Sequence, residues 1–279
     1  MPRKNGAPHR RANGVISAAL PVLCREADLL TLAAASPTRA YPSHRGYLGA
    51  LALTLTSLRR TGAEIHLYPL DPADFLQFCR ELDLPPDAPD ARTAYATEPR
   101  LLPPLLYRGE PLPEVLHALQ HLRDDEQTLL AADSLLIAEA ANEAELSWMR
   151  TRATDFAAAT LPSLLKAAGP GRHTLSIHLG PLSAHTVATL SPEPPFSLLQ
   201  PSPEAFCDLL GTAYVLADPA LVTLRTHHPD HPVLRGWQTT AQGLVPLTPA
   251  QLRTAYNAHA PTPADPSLTF KPAHPLPPA

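Results

Sequence analysis

The chain reads as an α/β protein: a Rossmann-like β-α-β N-terminal half, a helical middle and an α+β C-terminal portion. Three observations point there. Over residues 29–75, short apolar runs of strand length alternate with amphipathic segments of helical length. Between Glu114 and Arg152 no proline interrupts a stretch whose apolar residues recur at three or four residues. From His173 onward the apolar runs shorten and turn residues separate them.

Composition bounds what this fold can do. The 279 residues are 44% hydrophobic but only 5% aromatic, so the core must be built from Leu, Ala and Val. There are 35 prolines against 12 glycines, well above the roughly 5% proline share of ordinary domains. They cut the chain into short elements and stiffen its loops. Twenty-two basic residues face 26 acidic ones, for a net charge of −4. That balance lacks the basic footprint of nucleic-acid binders, and no nucleic acid is expected as a partner. Only Lys4, Lys166 and Lys271 are lysines. This skew toward Arg, with the Ala/Pro/Leu richness, suggests a high-GC bacterial coding bias. Cys24, Cys79 and Cys207 are odd in number and far apart, which fits neither a disulfide framework nor a zinc set. The charge-free apolar run between Arg45 and Arg59 is shorter than the ~20 residues of a membrane helix. Arg10-Arg11 before residues 14–24 faintly resembles a twin-arginine export signal, but Arg25, Glu26 and Asp28 interrupt it. No membrane association and a cytoplasmic location are expected.

The elements follow in order. Residues 1–13 carry Arg3, Lys4, Arg10 and Arg11 without apolar periodicity and read as a disordered basic arm. The α/β portion spans residues 14–113. Residues 15–24 are apolar, although Pro21 argues against a regular central strand. Residues 29–35 read as a buried strand. Leu48, Leu51, Leu55 and Leu58 then mark a helix over 46–60, with Ser43 as N-cap and Gly62 as its stop. Residues 64–70 alternate as a second strand, parallel to the first through a right-handed crossover. Asp71 caps a helix over 73–82, and residues 84–113 are mostly loop, with room for a helical turn near residues 91–96. The helical region covers 114–168. Leu130, Ile137, Ala141, Ala144 and Trp148 form a stripe that reads as core packing, with a partner surface as the alternative, and Pro162 begins a shorter helix. In the α+β portion, residues 169–259, strands are expected over 173–179, 186–190 and 196–199. A helix over 203–216 follows, with Ser202 as its cap. Residues 221–226 and 233–238 pair around a histidine-rich loop, with room for a third strand over 244–247 and a last helix from Pro249 to about His259. Residues 260–279, with seven prolines, read as a disordered polyproline-like tail.

One stretch suggests a ligand. The loop over residues 36–47 leads into a helix N-terminus, where free N–H groups and the helix dipole favour an anion. Ser36, Thr38, Arg39, Ser43, His44 and Arg45 would surround a phosphate with donors. Asp71, at the end of the next strand, would face a ribose or a metal. His44-Arg-Gly-Tyr47 resembles the HxGH signature of the nucleotidyltransferase and class I synthetase superfamily, in which the motif also opens the first helix. The likeness covers about twenty residues and departs at Tyr47, where the signature has His. No KMSKS-like or ISSTxxR-like partner follows. The segment is equally similar to the first β-loop-α of sugar-nucleotide glycosyltransferases.

Two further patterns are weaker. Thr226-His227-His228-Pro-Asp230-His231 resembles the HxHxDH motif of metallo-β-lactamase-type hydrolases, with Thr226 where the first His should stand. A hairpin loop is the simpler reading, and no metal site is expected. Ser163-Leu-Leu-Lys166 has the SxxK spacing of penicillin-recognising enzymes but lacks their KTG and SxN partners. No complete catalytic motif is present, and no particular cofactor is implied. Two functions follow. One is a non-catalytic interaction or regulatory α/β protein with a protein partner. The other is a transferase-type enzyme that binds a nucleotide or other phosphorylated small molecule through the 36–47 loop.

Overall fold

The computed structural model describes residues 11–12, 15–35, 42–191, 197–200, 203–228, 231–259 and 267–276. The mixed α/β chain divides into two compact units, Met1–Asp124 and Asp125–Ala279. The division falls within one long helix.

The first unit is built on a four-stranded sheet in the order β1 (Arg11–Ala12), β2 (Val15–Val22), β3 (Glu64–Pro69), β4 (Leu105–Tyr107). Only β2 and β3 are parallel, and antiparallel β1 and β4 flank them. The sheet is therefore mixed, in place of the all-parallel arrangement that a Rossmann-like pattern implies. Residues 29–35 are not the first strand of the crossover. They belong to helix α1 (Glu26–Ala35), and the strand is β2. The reason is local: Glu26 and Asp28 stand in the first turn, and the Asp28 carboxylate accepts the Arg25 N–H at 3.2 Å. Leu29 and Leu32, three residues apart, are buried, as helical and not strand periodicity requires. Pro21 stands in β2 opposite Tyr68, beyond Val15 and Ile16, the residues that pair with β1, so among the described residues no strand pairs with β2 on that flank at Pro21.

Helix α2 (His44–Arg60) returns the chain to β3; Ser43 is its N-cap, and Gly62 at φ +74° follows its C-cap. Helix α3 (Pro72–Glu81) starts on Asp71, as its Asp-Pro opening requires. Helix α4 (Pro89–Thr97) extends the helical turn expected near residues 91–96, and β4 lies in the remainder of a segment expected to be loop. Val22, Leu55, Ile65, Leu67, Phe75 and Leu119 form the centre of the core. Leu119 comes from α5 (Leu112–Glu139), the helix that carries the unit boundary.

In the second unit α6 (Glu143–Ala168) follows α5 after a short break. Asn142 accepts the Glu145 N–H at 3.0 Å while Glu145 accepts the Ala141 N–H at 2.8 Å, a reciprocal cap. Pro162 does not start a helix; it lies inside α6. The second sheet contains β5 (Gly171–Leu179), β6 (Leu182–Leu190), β7 (Ser197–Gln200), β8 (Leu221–Thr226), β9 (Val233–Thr240), β10 (Gly243–Pro246) and β11 (Thr269–Phe270). Its order is β10-β9-β8-β5-β6-β7, and β11 lies parallel on β9. Helices α7 (Glu204–Val215) and α8 (Pro249–His259) complete the unit. Ser202, the expected cap of α7, lies outside the described residues.

Both ends of the chain contribute strands. Arg11–Ala12, within the expected basic arm, pair with Val15 and Ile16. Residues 267–276, within the expected disordered tail, pack on the sheet: Leu268 is buried and the indole N–H of Trp237 donates to the His274 carbonyl at 2.9 Å. Trp237 is itself fully buried, so that carbonyl satisfies a donor that would otherwise be stranded.

The largest departure lies on α5 and α6. Leu130, Ile137 and Trp148, placed in the core by their spacing, are 58%, 51% and 56% exposed, and Ala141 and Ala144 beside them are exposed too. The neighbouring stripe is the buried one: Leu136 packs with Leu146 and Met149. Apolar residues occupy both stripes, so periodicity alone could not choose between them.

Candidate functional site

Parallel strands β2 and β3 end side by side, since the Leu70 N–H donates to the Val22 carbonyl at 2.8 Å. Ligands of α/β sheets gather beyond such carboxyl ends. Residues from four helices meet there. The Leu23 N–H donates to the Tyr47 hydroxyl at 2.9 Å, and the His44 Nε2 lies 3.4 Å from the Leu23 carbonyl. The Gln120 amide donates to the Cys24 carbonyl at 3.4 Å. Tyr47, where the HxGH signature has His, is 7% exposed and braces the backbone leaving β2.

At the centre is Arg123. Its Nη1 donates to both Asp28 oxygens at 2.9 and 3.0 Å, and its Nη2 donates to Asp71 at 2.5 Å. The side chains of Arg123, Asp28 and Asp71 are 13%, 8% and 25% exposed. Burial opposes the guanidinium charge, but the hydrogen bonds and charges of Asp28 and Asp71 outweigh it and raise the Arg123 pKa. Asp71 has a second role, accepting the Ala73 N–H at 2.9 Å to cap α3. The group thus ties the start of α1, the start of α3 and the middle of α5 to the ends of two strands. Beside it the Cys24 thiol is pushed up to about 12, by burial first and by Asp28 second. It stays protonated at neutral pH and makes a poor nucleophile.

The expected ligand residues divide into three sets. Ser36, Thr38 and Arg39 lie outside the described residues. Ser43, His44 and Arg45 open α2: the Ser43 hydroxyl accepts the Gly46 N–H at 3.1 Å, His44 is half-buried and Arg45 is exposed. Asp71 is paired with Arg123 and caps a helix. Arg123 itself escaped the sequence reading. Its signal is position: it follows Val115 and Leu119 at intervals of four, on a face whose two other members are 2% and 0% exposed. A charge in that register demands buried counter-charges.

The histidine-rich loop connects β8 to β9 as a hairpin. Its Asp230 lies outside the described residues. His227 Nε2 bonds the Thr174 hydroxyl at 2.8 Å. Nearby His173 is fully buried, with Nδ1 3.1 Å from the Thr226 hydroxyl and Nε2 2.9 Å from the Gly169 carbonyl. Burial lowers its pKa. Among the described residues no group of three or more His, Cys, Asp and Glu is placed to hold a metal ion. No described helix is long and apolar enough to cross a membrane.

Residues 7–110 match the model of a domain of unknown function, DUF8829. The match lies within the first unit and covers β1 through β4. No curated protein and no solved structure matches the chain.

Proposed function

We propose that this is a non-catalytic interaction protein whose partner surface is the apolar face of α5 and α6. The observation that carries the reading is the exposure of Leu130, Ile137 and Trp148 together, with Ala141 and Ala144 between them. Single exposed apolar residues are ordinary, whereas several on successive helices, with Leu130 and Ile137 two turns apart on α5 and Trp148 on α6, suggest a contact surface. Trp148 adds a large side chain with one hydrogen-bond donor, the kind that anchors protein interfaces. The paired charges at the strand ends fit the same reading, because Arg123 engages Asp28 and Asp71 in holding helices in place. A bacterial source and a cytoplasmic location belong to this reading.

Affinity capture from the native host tests it, comparing the wild-type chain with Leu130→Glu/Ile137→Glu. A discrete protein retained by the wild type and lost by the double variant is expected. An identical set retained by both overturns the reading. Both positions are more than half exposed, so the variant should keep its fold.

The second reading is a transferase-type enzyme that binds nucleotide or phosphate. It rests on His44 and Arg45, which open the 17-residue helix α2 beside the end of β2. A thermal-shift series with nucleotides and sugar nucleotides distinguishes the two. A nucleotide-dependent rise in Tm that His44→Ala/Arg45→Ala abolishes would replace the first reading with this one.

A further inference from the structure

In the second unit a groove of about 520 Å³ lies between α8 and the β8–β9 strands, within the size range of small-molecule sites. Leu221 and Leu247 give it apolar walls. On α8, Thr254 and Ala258 stand one turn apart and are too short to fill it. Among the described residues that line it there is no Lys, Arg, Asp or Glu. Its polar groups are chiefly the Gln238 carboxamide, the Thr254 hydroxyl and the His259 imidazole. The Thr254 hydroxyl donates to the backbone of the preceding turn at 3.1 Å and keeps its lone pairs for a ligand donor. The Gln238 side chain is exposed and has no hydrogen-bond partner among the described residues.

At one end of the groove the His259 ring stacks on His178, with centroids 5.1 Å apart and planes at 16°. His178 sits on β5 opposite Leu221. Burial, and then the neighbouring His259, lower the His178 pKa below 6.5, so this ring is neutral at pH 7. A flat ring against an apolar wall accepts another flat ring in offset stacking. An anion finds no cation to pair with among the described lining residues.

We propose that this groove binds an uncharged planar aromatic molecule bearing a carboxamide-type edge, stacked by His259 and hydrogen-bonded by Gln238. The site is independent of the α5–α6 face, and neither stands or falls with the other.

Benzamide is the probe, titrated into the isotopically labelled full-length chain and followed by NMR. Saturable shifts are expected at the Gln238 side-chain amide and at the His178 and His259 rings. Benzoate, with the same shape but a charge, should bind at least about tenfold more weakly because its carboxylate finds no cation among the described lining residues and cannot donate to a carboxamide oxygen. Gln238→Leu should weaken benzamide about fivefold, the worth of one hydrogen bond. Ala258→Trp fills the groove from an exposed helix position and should abolish the shifts while the rest of the spectrum stays folded. No saturable shift with benzamide, equal affinity for benzoate, or unchanged binding by the folded Ala258→Trp variant would each overturn the proposal.

Discussion

The two units bury polar side chains by opposite means. In the first, Arg123 is held among charges, with Asp28 and Asp71 as its partners. In the second, His173 is held among neutral groups, with the Thr226 hydroxyl and the Gly169 carbonyl. The charged arrangement reaches across three helices and two strand ends, which a long guanidinium can span. The neutral one spans neighbouring strands, where short side chains already meet. In each case the side chain's length matches the distance to be bridged, and the units differ in what breaks them.

The largest expected effect comes from Arg123→Met. It leaves the Asp28 carboxylate buried without its cation, and loss of one partner of a buried pair costs about 3–5 kcal/mol. Hydrogen exchange should show lost protection over β2, β3 and α3. Both tryptophans, Trp148 and Trp237, lie in the second unit, so the fluorescence-detected urea transition should shift far less. A larger fluorescence shift would show that the lock is not confined to the first unit.

Packing of the second unit is tested next. A Cβ added at Gly211 on α7 meets the backbone oxygen of Ala153 on α6 with no room to move. Gly211→Ala should therefore cost about 1–3 kcal/mol, read as a lower urea midpoint by fluorescence. Retained stability would mean that α6 and α7 can slide apart.

Acid separates the two arrangements. His173 has a lowered pKa in the fold, so below its ordinary 6.5 the unfolded chain takes up a proton that the folded chain refuses. Stability is fully present above that value. It declines as pH falls toward the folded pKa, with a slope limited to about 1.4 kcal/mol per pH unit for one group. His178 and His227 shift in the same direction and add to the decline. The fluorescence-detected Tm should fall between about pH 7 and 5.5, and His173→Gln should fall less steeply. Parallel slopes would remove His173 from the account.

The smallest effect is expected at Arg25. Its pair with Asp124 has side chains 45% and 58% exposed, and exposed pairs contribute little in water. Arg25→Ala should move the first unit's stability by less than about 1 kcal/mol, measured by the same exchange experiment.

Much of the second half was legible in the sequence. The strand at residues 221–226, the pairing around the histidine-rich loop and the helix from Pro249 to His259 appear where local residues mark them. Gly243 marks a turn, Thr248-Pro249 marks a helix start, and apolar runs mark the strands. Caps were legible as well, because Ser43 and Asp71 carry their chemistry in the side chain. The first strand was not. Residues 15–22 and 29–35 are both short apolar runs, and only the Asp28 cap and the Leu29–Leu32 spacing separate helix from strand. The candidate site was half legible. Asp71 and His44 lie near the strand ends, but Arg123 enters from a helix 52 residues beyond Asp71. Such a pairing exists only once the chain is folded. The exposed stripe failed for another reason: α5 carries apolar residues on two faces, and burial of one is decided by what packs there.

The central claim concerns that stripe, and site-specific photo-crosslinking tests it most directly. A photoreactive residue is placed at Ile137, Trp148 or Arg45 in the full-length chain, and the native host is irradiated. The account predicts one discrete protein adduct from Ile137 and Trp148 and none from Arg45. An adduct from Arg45 alone, with none from the other two, would contradict it.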